Sequence, residues 1–166
     1  MSENRGGIGG AGSASGEGAG APRRGVLPTV LNFAFCDQII QDTKTGKLSL
    51  IGLYDRVNCA HFPMRHHISV FLSVIGGHGY YDLENRLVQL ETNESWNLGK
   101  GWFVIQDPLT PLAWEAQLVL DLPKPGWYAI ETYVRSTLLV SRRLRVVLQP
   151  LPSPEHAEQD LPGPGS

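Results

Sequence analysis

Cys59, His61, His66, His67 and His78 crowd one stretch of this chain. Thiolate and imidazole are the groups zinc takes, four in a structural site or three plus a water in a catalytic one. Cys59 and His61, two residues apart, share one side of an extended segment. His66 and His67, being adjacent, point to opposite sides of a strand. No second Cys-x-x-Cys and no His-Glu-x-x-His completes a ligand set. Cys59, His61, His66 and His78 are thus the residues a metal-dependent hydrolase would use. Their spacing alone assembles no metal site, and the expectation is a polar rim at one end of the fold, with no metal and no cofactor.

Nucleophilic chemistry finds less support. A Gly-x-Ser-x-Gly elbow is absent. Cys36 is followed by Asp37, whose charge opposes thiolate formation. The acids Asp37, Asp42, Asp55, Asp82 and Glu84 sit beside turn residues, where carboxylates also serve backbone hydrogen bonds. They lack the spacing of a twelve-residue calcium loop. Thr45-Gly46-Lys47-Leu48-Ser49 lacks the first glycine of a phosphate loop and reads as a hairpin turn.

Two groups suit binding. Arg142, Arg143 and Arg145, with Arg135 nearby, form a basic cluster on one strand. They either protect a sheet edge by charge or meet phosphates or an acidic protein patch. Trp96 and Trp102 flank a Gly-Lys-Gly link, and exposed aromatics there would mark a protein interface or a carbohydrate platform. Trp114 has the parity of a core residue.

These residues are carried by short β-branched and aromatic runs. Leu31, Phe33 and Phe35 alternate with Asn32, Ala34 and Cys36; residues 48–57 resume after Gly46; residues 67–75 are almost wholly apolar, as in a central strand. Leu112, Trp114, Ala116, Leu118 and Leu120 share one parity, and Pro123-Lys124-Pro125-Gly126 turns the chain into a strand from Trp127. Residues 137–148 alternate again, with Arg142 on the apolar parity. Bulges are expected near Asp37 and near Glu84-Asn85. Residues 91–101 read as a polar turn before a short strand over 102–105. No segment keeps a helical period for three turns. The pattern predicts an all-β fold: a single antiparallel β-sandwich of seven or eight strands, with a small closed barrel as the other solution.

Of the 166 residues, 1–28 form a Gly/Ala/Ser-rich tail and 149–166 a Pro-rich acidic one, both expected to be disordered. The domain occupies 29–148, and its eleven Lys/Arg balance eleven Asp/Glu. A neutral domain exerts no long-range pull on nucleic acid or an anionic membrane. No apolar run spans a bilayer and the N-terminus has no secretory h-region. Two cysteines are too few for a disulfide scaffold. A soluble, cytoplasmic protein is expected.

The blocks Phe35-Cys36-Asp37, Thr45-Gly46-Lys47, Ser49-Leu50-Ile51-Gly52, Asp55 and Phe62-Pro63, with the later Leu118–Leu120, Gly126-Trp127-Tyr128 and Arg143–Val146, carry a resemblance. Over residues 35–146 the chain resembles a widespread family of uncharacterised bacterial small β-sandwich proteins, a domain of unknown function. The resemblance implies a single β-sandwich and transfers no catalytic residue. In that setting Gly52 permits close backbone approach inside a sheet and Asp55 caps the loop that follows.

The function these observations favour is a non-enzymatic interaction or structural module with a protein partner, met through an exposed edge strand, and with homo-oligomers possible. A small-molecule or carbohydrate-binding module is the alternative. The hydrolase built on Cys59, His61, His66 and His78 ranks third. Arg142, Arg143, Arg145, Trp96 and Trp102 are the candidate binding residues.

Overall fold

The computed structural model describes residues 26–149. The tail expectations for 1–28 and 149–166 lie outside the described residues, apart from 26–28 and Gln149. Within them the chain forms nine strands in two sheets: β1 Thr29–Gln41, β2 Leu48–Leu53, β3 Arg56–Cys59, β4 Met64–Ile75, β5 Gly79–Gln89, β6 Ser95–Ile105, β7 Leu112–Leu122, β8 Gly126–Val134 and β9 Thr137–Leu148. Sheet A has the order β2-β1-β4-β7, and sheet B the order β3-β9-β8-β5-β6. The fold is the all-β sandwich that the alternation predicts.

Strand parity places the core. Ile68, Val70, Leu72 and Val74 of β4 are buried between the sheets, beside Phe33 and Phe35 of β1 and Leu118, Leu120 and Leu122 of β7. Sheet B answers with Tyr81, Leu83 and Leu87 of β5, Tyr128 and Ile130 of β8, and Leu144 and Val146 of β9. Burying such side chains contributes about 1.5–3 kcal/mol each before entropy is charged. β4 is central, as its near-continuous apolar run predicts. The buried polar pair Thr132 and Asn85 is matched internally, the threonine hydroxyl donating to the Asn85 amide oxygen at 2.8 Å.

Turn chemistry follows the residues. Gly46 sits at φ 70° in the β1–β2 hairpin, where Asp42 Oδ1 accepts from the N–H groups of Lys44 and Thr45. Arg135 and Ser136 both take positive φ, as a two-residue hairpin turn needs. The bulge expected near Asn85 is present, at the register shift between Asn85 and Arg86.

The bulge expected near Asp37 is not there; the register shift of β1 falls between Val30 and Asn32. Three further features depart from the sequence reading. The apolar run over 48–57 is two strands: at Tyr54-Asp55 the chain leaves sheet A, reverses and joins sheet B as β3. There it pairs in parallel with β9, Arg56 beside Arg145 and Cys59 beside Leu148, the one parallel ladder among the described residues. β6 begins at Ser95 rather than at Trp102, because Leu87 and Val88 supply pairing partners for Trp96 and Ser95. At the upper end Leu27 packs on the core, and the Val26 carbonyl accepts from the Tyr81 hydroxyl at 2.7 Å. No helix is long and apolar enough to cross a membrane among the described residues.

Candidate functional site

The histidines do not gather. Cys59 faces the core and is fully buried, while His61 is exposed in the β3–β4 loop. His66 points inward near the lower end of β4, and His78 follows the upper end of the same strand. The strand rise of about 3.3 Å per residue separates those two by roughly 30 Å. Among the described residues no three His, Cys, Asp or Glu side chains are placed to hold a metal ion. The hydrolase reading is corrected on this point: β4 carries His66 and His78 to opposite ends of the sandwich, and β3 turns the Cys59 thiol into the core.

His66 has a local partner instead. Its Nε2 lies 3.3 Å from the Tyr54 hydroxyl, and the two rings meet edge-on. Burial lowers the imidazole pKa, partly offset by Asp37 and reinforced by His67. Tyr54 is pushed up, by burial first and then by Asp37 and Cys36. Asp37 lies over Gly52, which has φ 67° and no Cβ to obstruct the carboxylate. What approaches Gly52 is thus a side chain, not the backbone that the sequence reading expects. At Asp55 it is the backbone carbonyl that accepts, from the Arg145 N–H at 2.8 Å. Both cysteines are free and buried, and burial raises both thiol pKa values, with Asp37 adding to the effect at Cys36.

Adjacent positions on β9 separate the arginines. Arg142 is half-buried and points between the sheets; its guanidinium donates to the Phe33 carbonyl and lies 5.4 Å from the Phe35 ring centre. β2 covers β1 only from Cys36 onward, so that carbonyl lies on a stretch of edge without a neighbouring strand. Arg143 and Arg145 are exposed on the outer face of sheet B. The parallel register adds Arg56 beside Arg145, and the antiparallel one adds Trp127 on the other side, 5.3 Å from the Arg145 guanidinium. Among the described residues none of Arg56, Arg143 and Arg145 forms an ion pair. Arg56 escapes a reading of the sequence because it sits in a different run. Its only signal there is alternation with Val57 and Cys59.

The tryptophans part as well. Trp96 packs against the core and lines a cleft of about 350 Å³ with Pro63, Met64, Leu122 and Pro123, with the Arg65–Asp121 ion pair at its rim. Trp102 is 54% exposed on the outer face and stacks on Tyr80, itself 51% exposed, with ring centres 5.8 Å apart and planes 27° from parallel. The bulge at Asn85/Arg86 and Gly99 at φ 139° lie between the two tryptophans along β6 and its partner. Trp114 packs on the core as its parity requires, against Gly101, where a Cβ would come within 3.2 Å of the indole.

Comparison with known proteins adds a family and no activity. No curated protein matches the sequence. Among solved structures, the Pseudomonas fluorescens alkylpurine DNA glycosylase AlkC, bound to DNA containing an abasic site analogue, is similar with a TM-score of 0.37 and 9% identity. That match covers 56% of this chain and 27% of the glycosylase. Residues 31–147, from β1 to β9, match the model of a family of unknown function, DUF6941, and the chain belongs to that family.

Proposed function

We propose that this protein is a non-enzymatic, soluble binding module that docks an acidic segment of a partner protein across the arginine–tryptophan strip of sheet B. One observation carries the reading: Arg56, Arg143 and Arg145 share an exposed face beside Trp127, without a carboxylate partner among the described residues. Guanidinium forks match carboxylates geometrically, and Arg and Trp dominate the energetics of protein interfaces. The positive strip belongs to a domain with no net charge, which supports short-range recognition of a protein over capture of nucleic acid. A cytoplasmic setting fits two unpaired thiols.

The test is capture from the protein's own cells with the parent chain and with Arg143→Glu/Arg145→Glu. A partner retained by the parent and lost by the variant supports the reading. Identical partners on both baits refute it. Loss of retention in both when nuclease is added would instead identify nucleic acid.

The exposed Tyr80–Trp102 stack favours a second reading, a carbohydrate-binding module. It predicts that soluble oligosaccharides change tryptophan fluorescence in the parent and not in Trp102→Ala.

A further inference from the structure

The arginine strip lies beside the point where the chain leaves the described residues. β9 runs through Arg143 and Arg145, and the Gln149 N–H donates to the Cys59 carbonyl at 2.8 Å. Residue 150 is proline and has no N–H to add to that ladder. From this end upward, the outer face is first apolar and then basic. Val147 and Trp127, the latter 43% exposed, come first; Arg145 with Arg56 beside it comes next, and then Arg143. The Glu91 carboxylate near Trp127 is already engaged, accepting from the Trp127 N–H at 2.9 Å.

The sequence that follows has the same order. Pro150-Leu151-Pro152-Ser153-Pro154 is largely apolar, and proline at every second position favours extended backbone throughout. Glu155, Glu158 and Asp160 come after it, and residues 150–166 contain no Lys or Arg. The lengths agree as well. At the strand rise, Arg145 stands about 13 Å and Arg143 about 20 Å above Gln149. Extended proline-rich chain advances about 3.1 Å per residue, so after a reversal of about two residues Glu155 comes level with Arg145. Glu158 follows about 9 Å higher, within a side chain's reach of Arg143.

We infer that residues 150–160 fold back along the outer face of β9, Leu151 over Val147 and Trp127, and the three carboxylates over Arg56, Arg143 and Arg145. The chain's own tail is then the resident occupant of the strip, and an acidic partner segment reaches the arginines only by displacing it. This rests on the strip being a surface for acidic segments, and it adds the competitor that controls access. Separate exposed ion pairs contribute little, but a short tether holds the tail at about millimolar local concentration, which keeps a weak contact filled.

Two measurements on the full chain test this. In the first, a nitroxide is attached at Ala157→Cys, both native thiols being buried. At low salt it is expected to broaden the indole N–H resonance of Trp127 and to leave that of Trp102, toward the other end of the same face, sharp. The broadening is expected to vanish in Arg143→Glu/Arg145→Glu. It should vanish equally in Glu155→Gln/Glu158→Gln/Asp160→Asn, where the domain is untouched. In the second, labelled hexaglutamate is titrated into the parent and into the neutral-tail variant, which is expected to bind it about tenfold more tightly. A sharp Trp127 resonance in the parent, or broadening that survives the arginine reversal, overturns the inference. Hexaglutamate bound equally by both chains, and lost on arginine reversal, also overturns it and leaves the strip a binding surface with no resident tail. A sharp Trp127 resonance with no hexaglutamate bound by either chain overturns both readings. Broadening seen only between nitroxide-bearing and isotope-labelled copies places the tail on a second copy and overturns the intramolecular contact.

Discussion

The Asp37 carboxylate occupies the space above Gly52 that a Cβ would fill. The contact joins β1 to the end of β2 beside Tyr54, just before the chain changes sheets. Gly52→Ala introduces both an overlap with Asp37 and a side chain at φ 67°. It is expected to lower stability by about 2–4 kcal/mol in urea unfolding. Adding Asp37→Ala removes the overlap and leaves the backbone cost of about 1–2 kcal/mol, so the double variant should be the more stable of the two. A Gly52→Ala protein as stable as the parent contradicts this account.

Arg142 and Arg143 should behave unlike each other. Arg142→Ala strips the Phe33 carbonyl of its donor and the Phe35 ring of its cation, a loss of about 1–3 kcal/mol. Arg143→Ala, on the open face, should fall within about 0.5 kcal/mol of the parent. Thermal or urea unfolding of the two variants separates a bracket between sheets from a surface charge.

Acid should weaken the fold through His66. Burial lowers the native imidazole pKa, so the unfolded chain takes up this proton first as pH falls. The stabilisation is complete above the ordinary imidazole value of about 6.5 and is lost as pH falls toward the lowered native value. Urea midpoints between about pH 7.5 and pH 5.5 should fall for the parent and change less for His66→Gln, which keeps a hydrogen-bonding partner for Tyr54. Equal slopes for the two proteins would remove His66 from the explanation.

Neither thiol should react in the folded protein. Cys36 and Cys59 are fully buried, and burial holds both pKa values up. Disulfide-exchange reagents at mildly alkaline pH should modify neither in the native state and both after denaturation. Fast labelling of Cys36 in folded protein would show that β1 and β4 open readily around it.

Much of this architecture is legible in the residues. Leu112 to Leu120 alternate cleanly because β7 has one face on the core and one open, and Gly46 announces its turn. The sheet change at Tyr54-Asp55 is not legible, since no glycine or proline marks it and parity records faces, not sheets. The start of β6 is hidden by Asn97, Gly99, Lys100 and Gly101, whose strand state rests on pairing with β5 rather than on propensity. The arginine strip shows both limits. Arg143 and Arg145 can be read from one strand, whereas Arg56 joins them only through a parallel ladder between distant parts of the chain. Arg142 carries the charge of its neighbours and the parity of the core, and parity decides where it goes.

That parallel ladder also bears on how the protein is made. β3 emerges early from the ribosome, but its partner β9 is the last strand of the domain, and the Gln149 N–H closes onto the Cys59 carbonyl at the finish. Until then β3 has no strand to pair with and one edge of β8 stays open. Sheet B therefore cannot be completed piecemeal during synthesis, and nascent chains must keep β3 unpaired until translation of the domain is over.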